Sequence, residues 1–492
     1  MMKNTFLSNK VLAVYSLFFM LLGTTISAQV GIGTVTPDPS SILDITSTTQ
    51  GMLAPRLTTA QRLAIATPAN GLMVFDTDVK TFYYYSSTSS VWIKMFGDAD
   101  GRLKYKLIKS TDVLATVLAA EKAAGGGSKY LMDVNTYYEI NGTINFDLPI
   151  DLNNAYISGI DANEDKLVRA TGNLFDGATG GSLRNVTIVV SGGGKVFNLS
   201  GTAAQNIIIR DLVIANSSNV GSITGFGLVF VSIVQYVGNT TGIVYDSITK
   251  LLISNAAWFG NNAGTYEKLQ GTFGLISKQG GFSEVNGTSV GFDVSSNPTI
   301  TGDAVMETVV FTGTVSSGKY VNGYNPALYT GYFFNNKWNV RCAGIPTESD
   351  AVSTGDANLD YPVGFGATTV ASTTPVKLAG ITTSTNLFRF STGGTDNKLI
   401  YLGSKRRYFR TAATFSFRSS VSGVGVFVFY LAKNGVVIGQ SKVYCGVASS
   451  DVDAGTILST VEMSTNDYLE VWLSRYSGTG DVLAVSMNLV VN

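Results

Sequence analysis

A series of short β-branched and aliphatic runs, separated by Gly, Asn and Ser, dominates residues 129–315 of this chain. Each run has the length of one strand and is rich in Val, Ile and Phe. The runs include NVTIVV (185–190), KVFNLSG (195–201), NIIIRDLVIAN (206–216), GLVFVS (227–232), GIVYDS (242–247), KLLISN (250–255), TFGLIS (272–277), VGFDVS (290–295) and METVVFTG (306–313). The gaps are too short for crossover helices, which argues against a βαβ arrangement. Strands recurring about every ten residues predict a right-handed parallel β-helix, with a sandwich or barrel as the competing fold.

Charge and histidine content narrow the range of functions. The chain has 492 residues, 34 basic and 34 acidic side chains, and no histidine. A net charge of zero argues against a nucleic-acid partner, which needs a basic face. Without histidine, Ser-His-Asp triads and most zinc sites are excluded, and we expect no metal or cofactor. Catalysis would have to use carboxylates, Tyr, Lys or Arg.

The first 28 residues predict an export signal. Lys3 and Lys10 precede an apolar run at 11–22, and Ala28 ends a plausible cleavage site. A retained membrane anchor is the alternative, although the run is short for a bilayer, and no membrane span is expected in the mature chain. Cys342 and Cys445 lie in different predicted domains, so they are either a pair in an exported protein or two buried thiols.

Residues 29–96 predict a small module with its own hairpin. Thr58 or Thr59 caps a short helix at 61–65, GLMVFDTD is a strand, and TFYYYSS is its hairpin partner. The aromatic run at 82–85 with Trp92 is either a sugar-stacking surface or a half-buried strand face. The stretch resembles a module common on secreted surface proteins of Bacteroidetes and on fibre-like proteins of their phages, which implies an exposed location. The resembling residues are Gly31-Ile32-Gly33-Thr34, Pro37, Ser41, Leu43-Asp44, Gly51, Pro55-Arg56-Leu57-Thr58, Gln61-Arg62, Ala64-Ile65, Pro68, Gly71-Leu72, Asp76-Thr77-Asp78, Phe82-Tyr83-Tyr84-Tyr85 and Trp92.

Residues 97–128 predict a connector with a capping helix at 112–124, which three glycines at 125–127 end. A short amphipathic helix before a solenoid is expected to cover the open core of the first coil. The helix, the glycines and the strands from Lys129 onward resemble the start of the β-helix in phage tailspikes and pectate-lyase-like proteins. That resemblance is architectural, and no catalytic motif carries over with it. The β-helix is expected to span residues 129–345.

Carboxylates of the β-helix are the candidates for catalysis. They are Asp211, Asp246, Glu284 and Asp293, with Asp303 and Glu307 as further acids. Glycoside hydrolysis needs two carboxyl groups about 5–9.5 Å apart. Asp211, beside Arg210, suits a structural ion pair or a coil edge, and a solvated surface carboxylate is the alternative for each acid.

Aromatic residues near strand ends are the candidates for ligand binding. Trp258 with Asn261, Asn262 and Tyr266 predicts a glycan platform, in which rings face the sugar and amides bind its hydroxyls. Tyr236, Tyr245, Phe259 and Phe282 lie in similar positions. The same residues could instead stack inside the coils or fill a subunit interface.

The residues after the β-helix predict a linker or a tightly packed neck at 346–373 and an antiparallel domain at 374–492. About eight strands, with a tight turn at Asn434-Gly435, fit a jelly roll. The pattern resembles trimeric heads related to tumour necrosis factor and the complement globular head, which implies a homotrimer. The resembling residues are Tyr401, Gly403, Phe409, Phe415-Ser416-Phe417, Lys433-Asn434-Gly435, Asp467-Tyr468-Leu469-Glu470-Val471 and Asn488-Leu489-Val490-Val491. Lys405-Arg406-Arg407 is either an anion contact or a solvated loop.

The order of these parts is that of a fibre or spike. The leading hypothesis is a trimeric attachment protein, exported and exposed at a cell or virion surface, that binds a polysaccharide or another envelope receptor without catalysis. Three weak sites acting together would supply avidity. A polysaccharide hydrolase or lyase and a purely structural surface protein are the alternatives.

Overall fold

The structure is a computed structural model that describes residues 11–17, 29–95, 104–394, 397–448 and 451–492. The chain divides into two compact units, Met1–Gly101 and Arg102–Asn492. Most of the predicted export signal, residues 1–28, lies outside the described residues; residues 11–17 form helix α1. Among the described helices, none is long and apolar enough to cross a membrane.

The first unit contains the predicted hairpin. Its elements are β1 (Val30–Ile32), β2 (Leu43–Ile45), β3 (Arg56–Leu57), α2 (Thr59–Leu63), β4 (Met73–Asp76), β5 (Thr81–Ser86) and β6 (Val91–Lys94). Thr58 caps α2 in a reciprocal capping box with Gln61, which confirms the predicted helix start. Strands β4 and β5 pair antiparallel, as predicted. Asp76 is buried and accepts a hydrogen bond from Arg62 Nε at 2.8 Å, which ties α2 to the sheet.

The second unit begins with the capping helices and a parallel β-solenoid of about eight turns. The helices are α3 (Leu114–Val117) and α4 (Ala119–Ala124). One solenoid sheet contains β7 (Tyr105–Lys109), β9 (Tyr137–Asn141), β10 (Thr143–Asn145), β12 (Tyr156–Ser158), β13 (Lys166–Arg169), β15 (Gly181–Arg184), β16 (Thr187–Val190), β18 (Asn206–Ala215), β20 (Leu228–Val237), β22 (Lys250–Trp258), β25 (Leu275–Glu284), β28 (Ala304–Thr312) and β30 (Trp338–Ala343). The other contains β8 (Tyr130–Leu131), β11 (Ile150–Asp151), β14 (Phe175–Gly177), β17 (Lys195–Ser200), β19 (Asn219–Thr224), β21 (Ile243–Asp246), β23 (Thr265–Gln270), β26 (Val290–Asp293) and β29 (Lys319–Asn322), and β24 (Thr272–Phe273) pairs with β27 (Thr299–Ile300).

A helical cap is present as predicted, but it consists of the two short helices α3 and α4 and not of one helix at 112–124, and the boundary of the connector also differs. Leu118, between α3 and α4, is fully buried in the solenoid core, and Glu121 accepts a hydrogen bond from Tyr138 Oη at 2.9 Å. Strand β7 precedes these helices and pairs in parallel with β9, so the first strand of the solenoid lies within the segment expected to be a connector.

From Leu228 onward successive coils lengthen toward the C-terminal end, while their strands stay paired with one register shift, between Glu307 and Val310. Between register partners, the coil is 22 residues from Leu228 to Lys250, 25 from Lys250 to Leu275, 28 from Ile276 to Ala304 and 34 from Ala304 to Trp338. Because the strands stay aligned, the added residues lie in the turns between strands.

Two antiparallel sheets follow the solenoid. One contains β31 (Gly355–Asp360), β32 (Ala367–Thr369), β36 (Arg407–Ser419), β40 (Asp453–Met463) and β42 (Val482–Val491). The other contains β33 (Val376–Lys377), β34 (Phe390–Ser391), β35 (Leu399–Tyr401), β37 (Gly425–Lys433), β38 (Val436–Val437), β39 (Val443–Val447) and β41 (Tyr468–Ser477). Their shared core includes Phe415 and Phe429, whose rings stack with centroids 4.0 Å apart.

The segment at 346–373 is packed rather than extended. It contains a 3₁₀ turn (Asp350–Val352), and β31 and β32 both pair with β42. Hydrogen bonding to a later strand accounts for this order. A second 3₁₀ turn (Gly439–Ser441) follows β38. Cys342 and Cys445 are both free thiols.

Candidate ligand-binding site

Asp211 belongs to a corner that repeats from coil to coil. One residue near the middle of each of five long solenoid strands adopts a left-handed backbone, with φ between 52° and 66°: Asp211, Ile233, Asn255, Gly280 and Thr308. In β25 the next residue, Gly281, does so as well, with φ 77°. The residues preceding these five are register partners, so these bends stack on one another. Arg210 Nε lies 3.4 Å from Asp211 Oδ2. Asp211 therefore shapes the edge of a coil, which is one of the two structural roles that the sequence suggested.

Asp246 and Asp293 lie on strands of the second solenoid sheet that are not neighbours. Strand β23 separates them, since Asp246 pairs with Gln270 and Asp293 with Lys268. One intervening strand and an offset of two residues place their backbones more than about 10 Å apart. Asp246 accepts hydrogen bonds from Gln270 Nε2 at 2.9 Å and Ser247 Oγ at 2.7 Å. Asp293 is buried, so it is not the solvated surface carboxylate that was the alternative for each acid.

The remaining candidate acids are dispersed. Glu284 Oε2 accepts a hydrogen bond from the backbone N–H of Gly260 at 3.0 Å, which serves the neighbouring turn. Asp303 is exposed, and Glu307 directly precedes the corner residue Thr308. Within the described part of the chain, no group of three acids, cysteines or histidines could hold a metal ion.

The predicted aromatic platform is not on the surface. Trp258 and Tyr266 have 0% of their surface exposed, and Trp258 lies between Tyr236 and Tyr266 with centroids 3.8 and 5.1 Å away. The expectation that they contact a ligand is wrong, because Tyr236 and Trp258 are register partners whose side chains point into the coils. The rings stack inside the solenoid, and Tyr245 is buried with them.

The two asparagines of that platform also serve the turns. Asn262 is buried; its Nδ2 donates to the carbonyl of Tyr236 at 2.6 Å, and its Oδ1 accepts from Asn239 N–H at 2.9 Å. Asn261 is exposed, but its Oδ1 accepts from Gly238 N–H at 3.0 Å. Phe259 and Phe282 are half-buried and meet edge to face at 5.1 Å. Together these contacts fix the backbone of stacked turns.

A different surface has the properties of a ligand site. Where the last coil is longest, residues 323–336 form a loop beside β29, and a cavity of about 790 Å³ opens between them. We call this cavity the junction groove. It is lined by Ser295, Val315, Lys319–Asn325, Ala327, Tyr332, Phe333 and Gly344–Pro346. Its volume lies within the range of about 300–1,000 Å³ that is typical of small-ligand pockets.

Aromatic side chains of the junction groove are held by hydrogen bonds from their hydroxyls. Tyr320 Oη donates to the carbonyl of Gly313 at 2.8 Å, and Tyr324 Oη donates to the carbonyl of Pro298 at 2.7 Å. Both rings are half-buried, so each keeps an exposed part while its hydroxyl is fixed. Rigid rings of this kind can stack on a sugar at little cost in conformational entropy.

The polar lining of the junction groove includes Asn322, which contacts the candidate acid Asp293. Asn322 Nδ2 lies 3.3 Å from Asp293 Oδ1, and Lys319 Nζ donates to Asn322 Oδ1 at 3.0 Å. Asp293 thus orients an amide that lines the groove. Among the described lining residues there is no Asp or Glu, so the groove has no acid pair for glycoside hydrolysis.

Buried charges anchor the loop that forms one wall. Glu348 accepts hydrogen bonds from the backbone N–H groups of Phe333 at 2.8 Å and Phe334 at 2.9 Å. Burial raises the pKa of the Glu348 carboxyl to about 7, although these donors and Arg389 favour its ionised form. Arg389 is 1% exposed and donates hydrogen bonds to Asp350 and to the carbonyl of Trp338. Because Arg389 directly precedes β34, these bonds join the antiparallel sheet that contains β34 to the solenoid.

A second cavity of about 580 Å³ lies across the same loop, and Tyr332 lines both cavities. The Tyr332 ring stacks on Phe388 with centroids 4.0 Å apart. Sequence analysis missed this region because it has little regular structure. Its available signal was the density of Tyr, Phe and Asn in KYVNGYNPALYTGYFFNN (319–336).

Comparison with known proteins gives one family match. Residues 31–111 match a family described as a phage tail like trimerisation region. No curated protein matches the chain significantly.

Three solved structures show a distant likeness. An enzymatically active domain of tailspike protein 4 from bacteriophage CBA120 is 9% identical, with a TM-score of 0.22, covering 89% of this chain and 77% of its own. WceF of Pantoea stewartii, described as a glycan biofilm modifying enzyme with a tailspike-like parallel β-helix, is 9% identical, with a TM-score of 0.27 and coverage of 88% and 69%. ORF18 of Geobacillus virus E2 is 10% identical, with a TM-score of 0.23 and coverage of 83% and 89%. At these TM-scores the fold rests on the strand register described above.

Proposed function

We propose that this chain is a homotrimeric, tailspike-like attachment protein that binds a surface glycan through the junction groove without cleaving it. The match of residues 31–111 to a trimerisation region supports the homotrimer. The antiparallel sheets would form a second trimer contact of jelly-roll type. The protein would act outside the cell, at a cell or virion surface.

The groove itself supports the choice of ligand. It combines half-buried Tyr rings, an oriented amide at Asn322 and the ammonium of Lys319, which suit the faces and hydroxyls of sugars. Its lining has no acid among the described residues, which favours binding over hydrolysis. Three grooves per trimer would convert weak single-site affinity into avidity.

A ring-specific pair of substitutions tests the groove. We expect Tyr320→Ala to weaken binding to an envelope-polysaccharide array about fivefold to tenfold, as truncation of an aromatic contact usually does. Tyr320→Phe keeps the ring and should bind within about twofold of the parent. Tyr156→Ala is the control, because Tyr156 is 47% exposed on the solenoid and lines none of the described cavities.

Three results would contradict the proposal. Equal binding by Tyr320→Ala and Tyr156→Ala would remove the groove from the ligand site. A stable monomer in sedimentation would exclude avidity from three sites. Release of reducing ends from a bound polysaccharide would replace binding with catalysis.

A further inference from the structure

A third cavity, of about 480 Å³, has a different chemistry. It lies between the last coils of the solenoid and the loop that leads into β36, and we call it the basic cleft. Its charged lining residues are Glu307, Arg341, Asp350, Lys405, Arg406 and Arg407. Four cations and two acids therefore share one cleft, although the chain as a whole has no net charge.

One of the two acids is already neutralised. Asp350 is 3% exposed, and its Oδ1 accepts a hydrogen bond from Arg389. Its Oδ2 accepts from Ser404 N–H at 3.1 Å, Ser404 Oγ at 3.1 Å and Lys405 N–H at 2.8 Å. Asp350 is thus a buried anchor that fixes the backbone of the basic loop, and its charge is not available to the cleft.

The cations are less well neutralised. Within the described residues, Arg341 and the Lys405 ammonium are exposed and have neither an ion pair nor a side-chain hydrogen bond, although Arg341 is the register partner of Glu307. Arg407 donates to the backbone carbonyl of Asp350 and stacks on Phe409 at 4.7 Å, so its charge remains.

Arg406 adds a further partly available charge. Its Nη1 lies 3.3 Å from Glu462 Oε1, but their side chains are 66% and 34% exposed, so the pair is screened and weak. Among the described lining residues, Glu307 is the one acid that opposes the cations inside the cleft. The cleft is therefore a site of excess positive charge whose basic loop has a fixed backbone.

We propose that the basic cleft binds the anionic group of an acidic saccharide, a carboxylate or a phosphate. Guanidinium groups match both anions through paired N–H donors, and such charge-assisted bonds are stronger than neutral ones. The basic cleft is lined by Asn339–Arg341 and the junction groove by Gly344–Pro346, so consecutive parts of one segment line the two cavities. This inference rests on the proposed glycan-binding function and specifies the ligand as acidic.

Charge removal with a matched control tests it. The full-length trimer is titrated with oligogalacturonate at low salt, with a neutral maltooligosaccharide for comparison. We expect Arg341→Gln with Lys405→Gln to lower affinity for oligogalacturonate about tenfold. Arg184→Gln with Lys250→Gln removes the same charge from exposed solenoid positions and should change affinity less than about twofold. Circular dichroism checks that both variants fold.

The outcomes separate this inference from the proposed function. Loss of oligogalacturonate binding in the variant Arg341→Gln with Lys405→Gln (the cleft variant), with Tyr320-dependent glycan binding intact, would support both the acidic site and the proposed glycan-binding function. Equal losses in the two charge variants, or equal affinity of the parent for neutral and acidic oligosaccharides, would overturn the acidic site alone. Competition by inorganic phosphate that disappears in the cleft variant would assign the site to phosphate esters, whereas no competition would assign it to carboxylates.

Discussion

An ion pair inside the solenoid offers a sharp test of how the coils are stabilised. Lys278 Nζ lies 2.7 Å from Glu267 Oε2, and both side chains are 1% exposed. Glu267 is the register partner of Ile243 and Phe292, and Lys278 that of Ile253 and Met306, so two charges occupy otherwise apolar rows. Among the described residues, neither carboxylate oxygen accepts a hydrogen bond of regular geometry.

The magnitude follows from this burial. Lys278→Met leaves the Glu267 carboxylate without its counter-charge in a nearly dry core, which costs about 3–5 kcal/mol. Glu267→Leu combined with Lys278→Met removes both charges and should be neutral, or more stable by about 1–4 kcal/mol. We therefore expect the double variant to be more stable than Lys278→Met alone. If the two substitutions acted independently and each were destabilising, the double variant would instead be the less stable of the two.

Thermal unfolding with circular dichroism measures the effect. For a unit of about 390 residues, an unfolding entropy of about 2.1 cal/mol/K per residue gives roughly 1.2 °C per kcal/mol, so Lys278→Met should lower Tm by roughly 5 °C. Lys250→Met, at an exposed position, is the control and should leave Tm within about 2 °C. A single variant as stable as its control would refute the reasoning, as would a double variant less stable than Lys278→Met.

Three further predictions concern strain, protonation and thiol reactivity. Ile233→Asn should raise the free energy of unfolding, measured by chemical denaturation, by about 1 kcal/mol, because a β-branched residue is strained at φ 54° and Asn255 occupies the same corner one coil later. Val310→Asn is the control, since Val310 is similarly exposed, and should give no gain in stability. Burial raises the folded-state pKa of Glu348 to about 7 from its ordinary 4.5, so the stability contributed by the protonated carboxyl is complete below about pH 4.5 and is lost as pH rises through 7. In chemical denaturation the free energy of unfolding should therefore fall by about 3 kcal/mol across this pH range relative to that of Glu348→Gln. The same pH dependence in the parent and in Glu348→Gln would contradict this. Burial also raises the pKa of Cys445 to about 11, so iodoacetamide should label it far more slowly at pH 7.5 than in the unfolded chain, and equal rates would show that the thiol is accessible.

Strand positions were the most predictable feature of this chain. Runs such as NIIIRDLVIAN and YFRTAATFSFR combine β-branched or aromatic residues with a period of two, and they form β18 and β36. The Asn434-Gly435 turn follows from backbone preference, and both residues have positive φ. Local propensity and alternation decide such elements, so no tertiary information is needed.

The site depends on contacts that propensity does not encode. Trp258 ends a strand beside Asn and Gly, and only the register with Tyr236 shows that its ring points inward. The wall of the junction groove has no regular structure, and Glu348 holds it from the segment that was expected to be a neck or linker. Long-range hydrogen bonds to a loop leave no periodic trace in the sequence.

The unequal coil lengths have a consequence for how such a protein can change its ligand. Pairing constrains only the strands: the coil that ends at Trp338 carries 12 residues more than the one that ends at Lys250, yet its strands stay paired, with one register shift between Glu307 and Val310. The turns between strands can therefore be lengthened or replaced while the strand pairing is kept. Recognition can diverge through insertions and deletions near residues 323–336 while the apolar rows that stabilise the solenoid stay as they are.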